Sequence, residues 1–104
     1  MELLTNELLK RFEEVGSQEE VDTGDKIIIA KYFNPTGAGT WYATEYDPEN
    51  KEFFGFVTMG MIDDQDAEWG YFSLAELEGY VGAFGLGIER DLHFGEKKFS
   101  EVRQ

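Results

Sequence analysis

Three runs of β-branched and aromatic residues, K-I-I-I-A-K-Y-F, T-W-Y-A-T-E-Y-D and E-F-F-G-F-V-T-M-G-M, follow one another, with only N-P-T-G-A-G and the turn D-P-E-N as punctuation. Such residues fit a pleated surface that is at least half buried, while Pro, Gly, Asn and Asp supply the dihedral angles of tight turns. Connections this short join antiparallel neighbours, so the spacing predicts a meander. The first run is apolar almost without a break, which predicts a strand covered on both faces at the sheet centre. In the second, strict alternation places Trp41, Ala43 and Glu45 on one face and Tyr42, Thr44 and Tyr46 on the other. Gly55 inside the third predicts a bulge or the close approach of another backbone.

The flanking segments supply helices. At the N-terminal side, T-N-E-L-L-K-R-F-E-E-V sets Leu8, Leu9, Phe12 and Val15 at helical spacing, with Thr5 as N-cap and Gly16 as the stop. Residues 17–25 form a polar linker. After the loop at 63–67 a short fourth strand, E-W-G-Y-F, leads to Ser73 and Glu76, a capping box that opens a helix of about two turns ending near residues 79–82. The glycine-rich remainder carries a short strand around residues 88–94. A chain of 104 residues supports one hydrophobic core, so the expected architecture is a single α+β domain over residues 1–104. It is an antiparallel meander of about four or five strands covered by one or two short helices.

Nine Lys and Arg stand against 22 Asp and Glu, a formal net charge of −13. Phosphate binding needs clustered cations, so nucleic acid is not expected as a direct ligand. The same field steers basic protein surfaces toward the chain. Aromatics make up 15% of the residues, so the charge coats a packed core. The absence of cysteine excludes disulfides, thiolate metal sites and a thiol nucleophile. No apolar run approaches the ~20 residues of a membrane span, and M-E-L-L-T-N-E-L-L-K lacks the basic start and apolar centre of a signal peptide, so the expected location is the cytoplasm, with no membrane partner.

Between Lys51 and Arg90 no Lys or Arg occurs, while Glu52, Asp63, Asp64, Asp66, Glu68, Glu76, Glu78 and Glu89 all fall in that span. Residues 13–25 form a second acidic tract free of bases. Carboxylates spread in this way can offer a DNA-binding cleft a substitute for DNA phosphates; the competing reading is a solvated surface that only keeps the protein soluble. Asp63, Asp64, Asp66 and Glu68 are oxygen donors of the kind Ca²⁺ prefers, but neither they nor Asp47-x-Glu49 continue into the D-x-[DN]-x-[DN]-G pattern. No dedicated metal or cofactor is expected.

The one histidine, His93, lies near Glu89 and Asp91, and on a strand the three would share a face suited to acid–base chemistry. Arg90 between the acids favours a structural ion pair instead. Glu49-x-Lys51 and Glu96-x-Lys98 match part of a nuclease signature, yet both sit in turn-like sequence without a basic track for DNA. Most strand aromatics are expected in the core. Trp69, beside the acidic loop, is the expected interface anchor, since Trp is enriched where binding energy concentrates.

At W-Y-A-T-E-Y-D-P-E, F-F-G-F-V, G-Y-F-S-L-A-E-L-E and G-L-G-I-E-R-D-L-H-F the chain resembles a family of small proteins of unknown function common on plasmids, phages and integrated elements of bacteria. The four blocks occur in the family's order, and the likeness extends over residues 3–102. Family members have a shorter connection before the G-Y-F-S-L block; here residues 59–67 are longer and more acidic. The resemblance implies no enzyme, cofactor or catalytic residue. Its association with mobile elements implies a role against host defence, because small acidic proteins from such elements often inhibit defence nucleases by occupying a DNA-binding surface.

The expected function is therefore non-enzymatic inhibition of a bacterial DNA-targeting defence complex, with a basic nucleic-acid-binding protein, a Cas effector or restriction enzyme subunit, as partner. Asp63, Asp64, Asp66, Glu68 and Trp69 form the expected docking site, with Glu45, Asp47 and Glu49 as a second patch. The alternatives are a small enzyme or nucleotide-handling protein using Glu89, Asp91 and His93, and an accessory domain binding a basic protein of the mobile element itself.

Overall fold

The computed structural model describes residues 1–60 and 67–102. Helix α1 (Asn6–Val15) begins where the Thr5 hydroxyl accepts the Leu8 N–H at 3.1 Å. It ends where Gly16, at φ 68°, donates its N–H to the Phe12 carbonyl. Both caps satisfy helix-end groups that water would otherwise have to serve.

The first apolar run forms two strands rather than one. Strand β1 (Ile27–Ile28) and strand β2 (Ala30–Phe33) part at Ile29, whose N–H is taken by the Ala43 carbonyl at 2.9 Å. The remaining elements are β3 (Thr40–Asp47), β4 (Glu52–Thr58), β5 (Glu68–Ser73), α2 (Leu74–Gly79), β6 (Glu89–Arg90), β7 (Lys97–Lys98) and α3 (Phe99–Val102). An antiparallel five-stranded sheet runs in the order β5-β4-β3-β2-β6, and β1 pairs with β7 in a separate ribbon. The expected α+β meander is thus present, with β3 at its centre. The expectation that the first run holds the centre is corrected: β2 lies beside the two-residue strand β6. Its unbroken apolarity has another cause, because Ile28 and Ile29 enter two different cores.

One sheet face carries Ala30, Tyr32, Ala43, Phe53 and Phe72 under α1, Leu77 of α2 and Ile88. Phe53 is fully buried there and meets the rings of Tyr46, Phe72, Tyr32 and Phe12 at centroid distances of 4.8, 5.2, 5.4 and 5.8 Å. Ring pairs in this range contribute about 0.5–1.5 kcal/mol each beyond area burial. The other face is covered only in part: Tyr42 and Phe56 pack with Ile28 and Phe99, and the remaining aromatics of β4 and β5 stay half open.

The alternation along β3 does not persist. Ala43 pairs with Gly55 and Glu45 with Phe54, so Thr44 is an extra residue, a β-bulge. Past it every side chain changes face. Tyr46 joins the Trp41 and Ala43 face, whereas Glu45 turns to the half-open face of Tyr42. Gly55 fulfils the expected close approach at the same place.

The strand expected around residues 88–94 shortens to Glu89–Arg90. Asp91 starts a turn, accepting the His93 N–H on its carboxylate at 2.9 Å and the Phe94 N–H on its carbonyl at 3.3 Å. Glu89, Asp91 and His93 therefore do not share a strand face. The Asp91 N–H still reaches the Lys31 carbonyl of β2 at 2.9 Å, and beyond it local Asx hydrogen bonding replaces the ladder. Among the described residues no helix is long and apolar enough to cross a membrane.

Candidate functional site

The bulge sets Glu45 against the half-open face, opposite Phe54, and the site grows from that pairing. Phe54 on β4 lies opposite Tyr71 on β5, and Phe56 opposite Trp69. Side chains two apart on a strand share a face, so Phe54, Tyr71 and Trp69 form a continuous aromatic strip. The ring planes of Phe54 and Trp69 are within 18° of parallel at a centroid distance of 6.1 Å, and Tyr71 meets Phe54 edge-on at 5.0 Å. Trp69 is held from below by Phe99 at 4.8 Å and Phe56 at 5.4 Å. Tyr71, by contrast, is 70% exposed.

Two depressions flank this strip. One, of about 220 Å³, is lined by Glu19, Thr23, Lys26, Glu45, Phe54, Trp69 and Tyr71. The other, of about 80 Å³, shares Glu45, Phe54 and Tyr71 and adds Tyr46, Asp47 and Glu52. Aromatic rings thus alternate with carboxylates along one open surface.

Gln18 fixes the wall of the larger cleft. Its side chain is almost wholly buried; the amide donates to the carbonyls of Ile27 at 3.0 Å and Thr44 at 2.9 Å, and its oxygen accepts the Ile27 N–H at 2.7 Å. The Gln18 backbone N–H then donates to Glu45 Oε2 at 3.2 Å. Lys26, the one cation lining the cleft among the described residues, donates its ammonium to the Gln18 carbonyl.

The other expected docking residues have distinct placements. The Asp47 carboxylate closes its own turn, accepting the N–H groups of Glu49 at 2.9 Å and Asn50 at 3.4 Å and the Asn50 amide at 2.8 Å. The Asn50 amide and the Glu49 N–H hold its pKa below the ordinary carboxylate value. Glu49 is exposed at the turn, and Glu68 is exposed at the start of β5. Trp69 is half buried and forms a wall of the cleft. Asp63, Asp64 and Asp66 lie outside the described residues. The sequence pattern left out Tyr71, Phe54, Glu19 and Lys26; the signal for the first two was their spacing from Trp69 and Gly55 on strands of period two.

Most acidic groups among the described residues form no ion pair. Among the described residues the ion pairs are Arg11 with Glu96 at 2.7 Å, Lys31 with Asp91 at 3.6 Å and Lys98 with Asp25 at 3.6 Å. Glu19, Glu45, Asp47, Glu49, Glu52 and Glu68 belong to none of these. Asp91 is committed to its ion pair and its turn, which leaves His93 exposed beside it without the expected constellation. Among the described residues no group of three or more His, Asp or Glu is placed to hold a metal ion.

Residues 3–102 match the family described as Protein of unknown function (DUF2958), and the chain belongs to it. No curated protein and no solved structure matches the chain.

Proposed function

We propose that this protein inhibits a DNA-binding protein by occupying its cationic DNA-contacting surface, and that the target is a bacterial DNA-targeting defence complex, a CRISPR effector or a restriction enzyme. The observation that carries the reading is the strip of Phe54, Trp69 and Tyr71 with Glu45 beside both of its depressions, Glu19 in the larger, and Asp47 and Glu52 in the smaller. A DNA-binding surface offers cations for phosphates and flat groups for bases, and this strip presents carboxylates and rings in their place. The net charge of −13 adds long-range attraction, which falls away beyond a Debye length of ~8 Å at 0.15 M salt.

Glu52 stands opposite Asp47 in the register of β3 and β4. The Asp47 carboxylate closes its own turn, while Glu52 joins no ion pair among the described residues, which makes Glu52 the carboxylate offered to a partner at this end of the strip. Exposed Glu49 and Glu68 extend the same acidic field, and Asp63, Asp64 and Asp66 add charge to the connection between β4 and β5.

The test is to recover the salt-released partner from host lysate and measure its DNA binding with and without this protein. Competition with DNA is expected, lost when Glu45, Glu49 and Glu52 are together changed to Lys. A partner that binds DNA and this protein simultaneously, or full inhibition by the reversed variant, overturns the reading.

A further inference from the structure

We infer that the cleft between Glu45 and the Trp69–Tyr71 wall is a receptor for an arginine side chain of the partner, an inference that rests on the function proposed above.

Its volume, about 220 Å³, falls below the ~300–1,000 Å³ of pockets that enclose a small-molecule ligand, so one inserted side chain is the natural occupant. Three aromatic rings, Phe54, Trp69 and the largely exposed Tyr71, line the cleft. A planar guanidinium stacks on an aromatic face, whereas a compact ammonium gains less from it. Glu45 supplies the acceptor. Its Oε2 is anchored by the Gln18 N–H, and Gln18 is itself locked by hydrogen bonds to Ile27 and Thr44, so the carboxylate is held in place before any partner arrives. A fixed carboxylate beside a flat ring accepts the forked N–H groups of arginine with little ordering cost. Lys26 does not fill this role from within, because its ammonium is directed to the Gln18 carbonyl and forms no ion pair with either lining carboxylate, Glu19 or Glu45.

The experiment is an NMR titration of the full chain with arginine amide, then lysine amide, following the indole N–H of Trp69 and the ring of Tyr71. Arginine amide is expected to shift both resonances saturably and lysine amide several-fold more weakly. Glu45→Gln, which keeps the shape and the hydrogen bond from Gln18, should weaken arginine amide about tenfold. Tyr71→Ala, on an exposed ring whose loss leaves the fold intact, should weaken it as well. Equal affinity for the two amides, unmoved Trp69 and Tyr71 resonances, or unchanged binding by Glu45→Gln would each overturn the inference. Arginine amide in the cleft combined with no DNA-displaceable partner would overturn the proposed function and leave the receptor standing. A DNA-displaceable partner that binds Glu45→Gln as well as the native chain would do the reverse.

Discussion

The α carbon of Gly55 faces the carbonyl oxygen of Tyr42 so closely that a Cβ built on it would lie 1.9 Å away. That contact exists because β3 bulges between Ala43 and Glu45, and Gly55 is the residue opposite. Gly55→Ala cannot be absorbed by rotating a side chain, since the obstacle is backbone. A loss of about 3 kcal/mol or more is expected in urea unfolding, together with loss of binding through Glu45, which the bulge aims. A variant within about 1 kcal/mol of the native chain would show that the bulge does not depend on this glycine.

Gln18 offers a second test of how the site is supported. Gln18→Leu strips partners from the Ile27 N–H and from the carbonyls of Ile27 and Thr44, in a place where the native side chain is only 3% exposed. Orphaned buried groups cost about 1–3 kcal/mol each, so the urea midpoint should fall by the equivalent of about 3 kcal/mol with an unchanged denaturant slope. A change below about 1 kcal/mol would mean that water replaces the amide.

These two residues also mark where sequence stops being informative. Thr5, Gly16, Ser73 and Glu76 announce their helix ends because a cap is a local hydrogen bond; the Ser73 hydroxyl accepts the Glu76 N–H at 3.2 Å. Charge and aromatic content alone pointed to Glu45, Asp47 and Trp69, which the fold places along the two clefts. The face that Glu45 occupies was not legible, since one inserted residue reverses a period of two and only the pairing of Ala43 with Gly55 reveals it. Tyr71 looked like core for the same reason: a strand's alternation does not say which face is left uncovered. His93 was misplaced on a strand because the turn-forming carboxylate of Asp91 takes its N–H and ends the ladder there.

The register that sets Glu52 opposite Asp47 predicts a trade between stability and binding. Glu52→Lys places a cation opposite Asp47, so the thermal midpoint should rise slightly while affinity for the cationic partner falls. Measured in low salt and again in high salt, the stability gain should shrink as charges are screened. A variant that gains stability yet keeps full affinity would remove this end of the strip from the interface.

Alkaline pH should unfold the protein through Tyr32. This fully buried ring donates its hydroxyl to the Leu3 carbonyl at 2.7 Å, and burial, opposed by Arg90 and aided by Tyr46, pushes its pKa far above the ordinary 10.0. The folded chain therefore holds the phenol proton more tightly than the unfolded chain does. The resulting stabilisation is complete below pH 10.0 and is lost as pH climbs above it. Tyr32→Phe should cost about 1 kcal/mol at neutral pH and flatten the alkaline decline. Some slope should remain, because burial also raises Tyr42 and Tyr46. An unaltered alkaline profile in this variant would place the sensitivity elsewhere.

Phe84 gives the last prediction. It sits at φ 60° and ψ 19° inside the short turn Ala83–Gly85 and is 94% exposed. A left-handed backbone costs a non-glycine residue about 1–2 kcal/mol, and an exposed ring returns almost nothing through burial. Phe84→Gly removes that strain, while the freer unfolded chain offsets roughly 0.4–1 kcal/mol of the gain. Stability should then match the native chain or exceed it by up to about 1 kcal/mol, in contrast to the 3–5 kcal/mol lost on truncating a buried aromatic. Thermal unfolding of the two proteins side by side decides the point: a loss above about 2 kcal/mol would mean that the ring packs against the fold in solution.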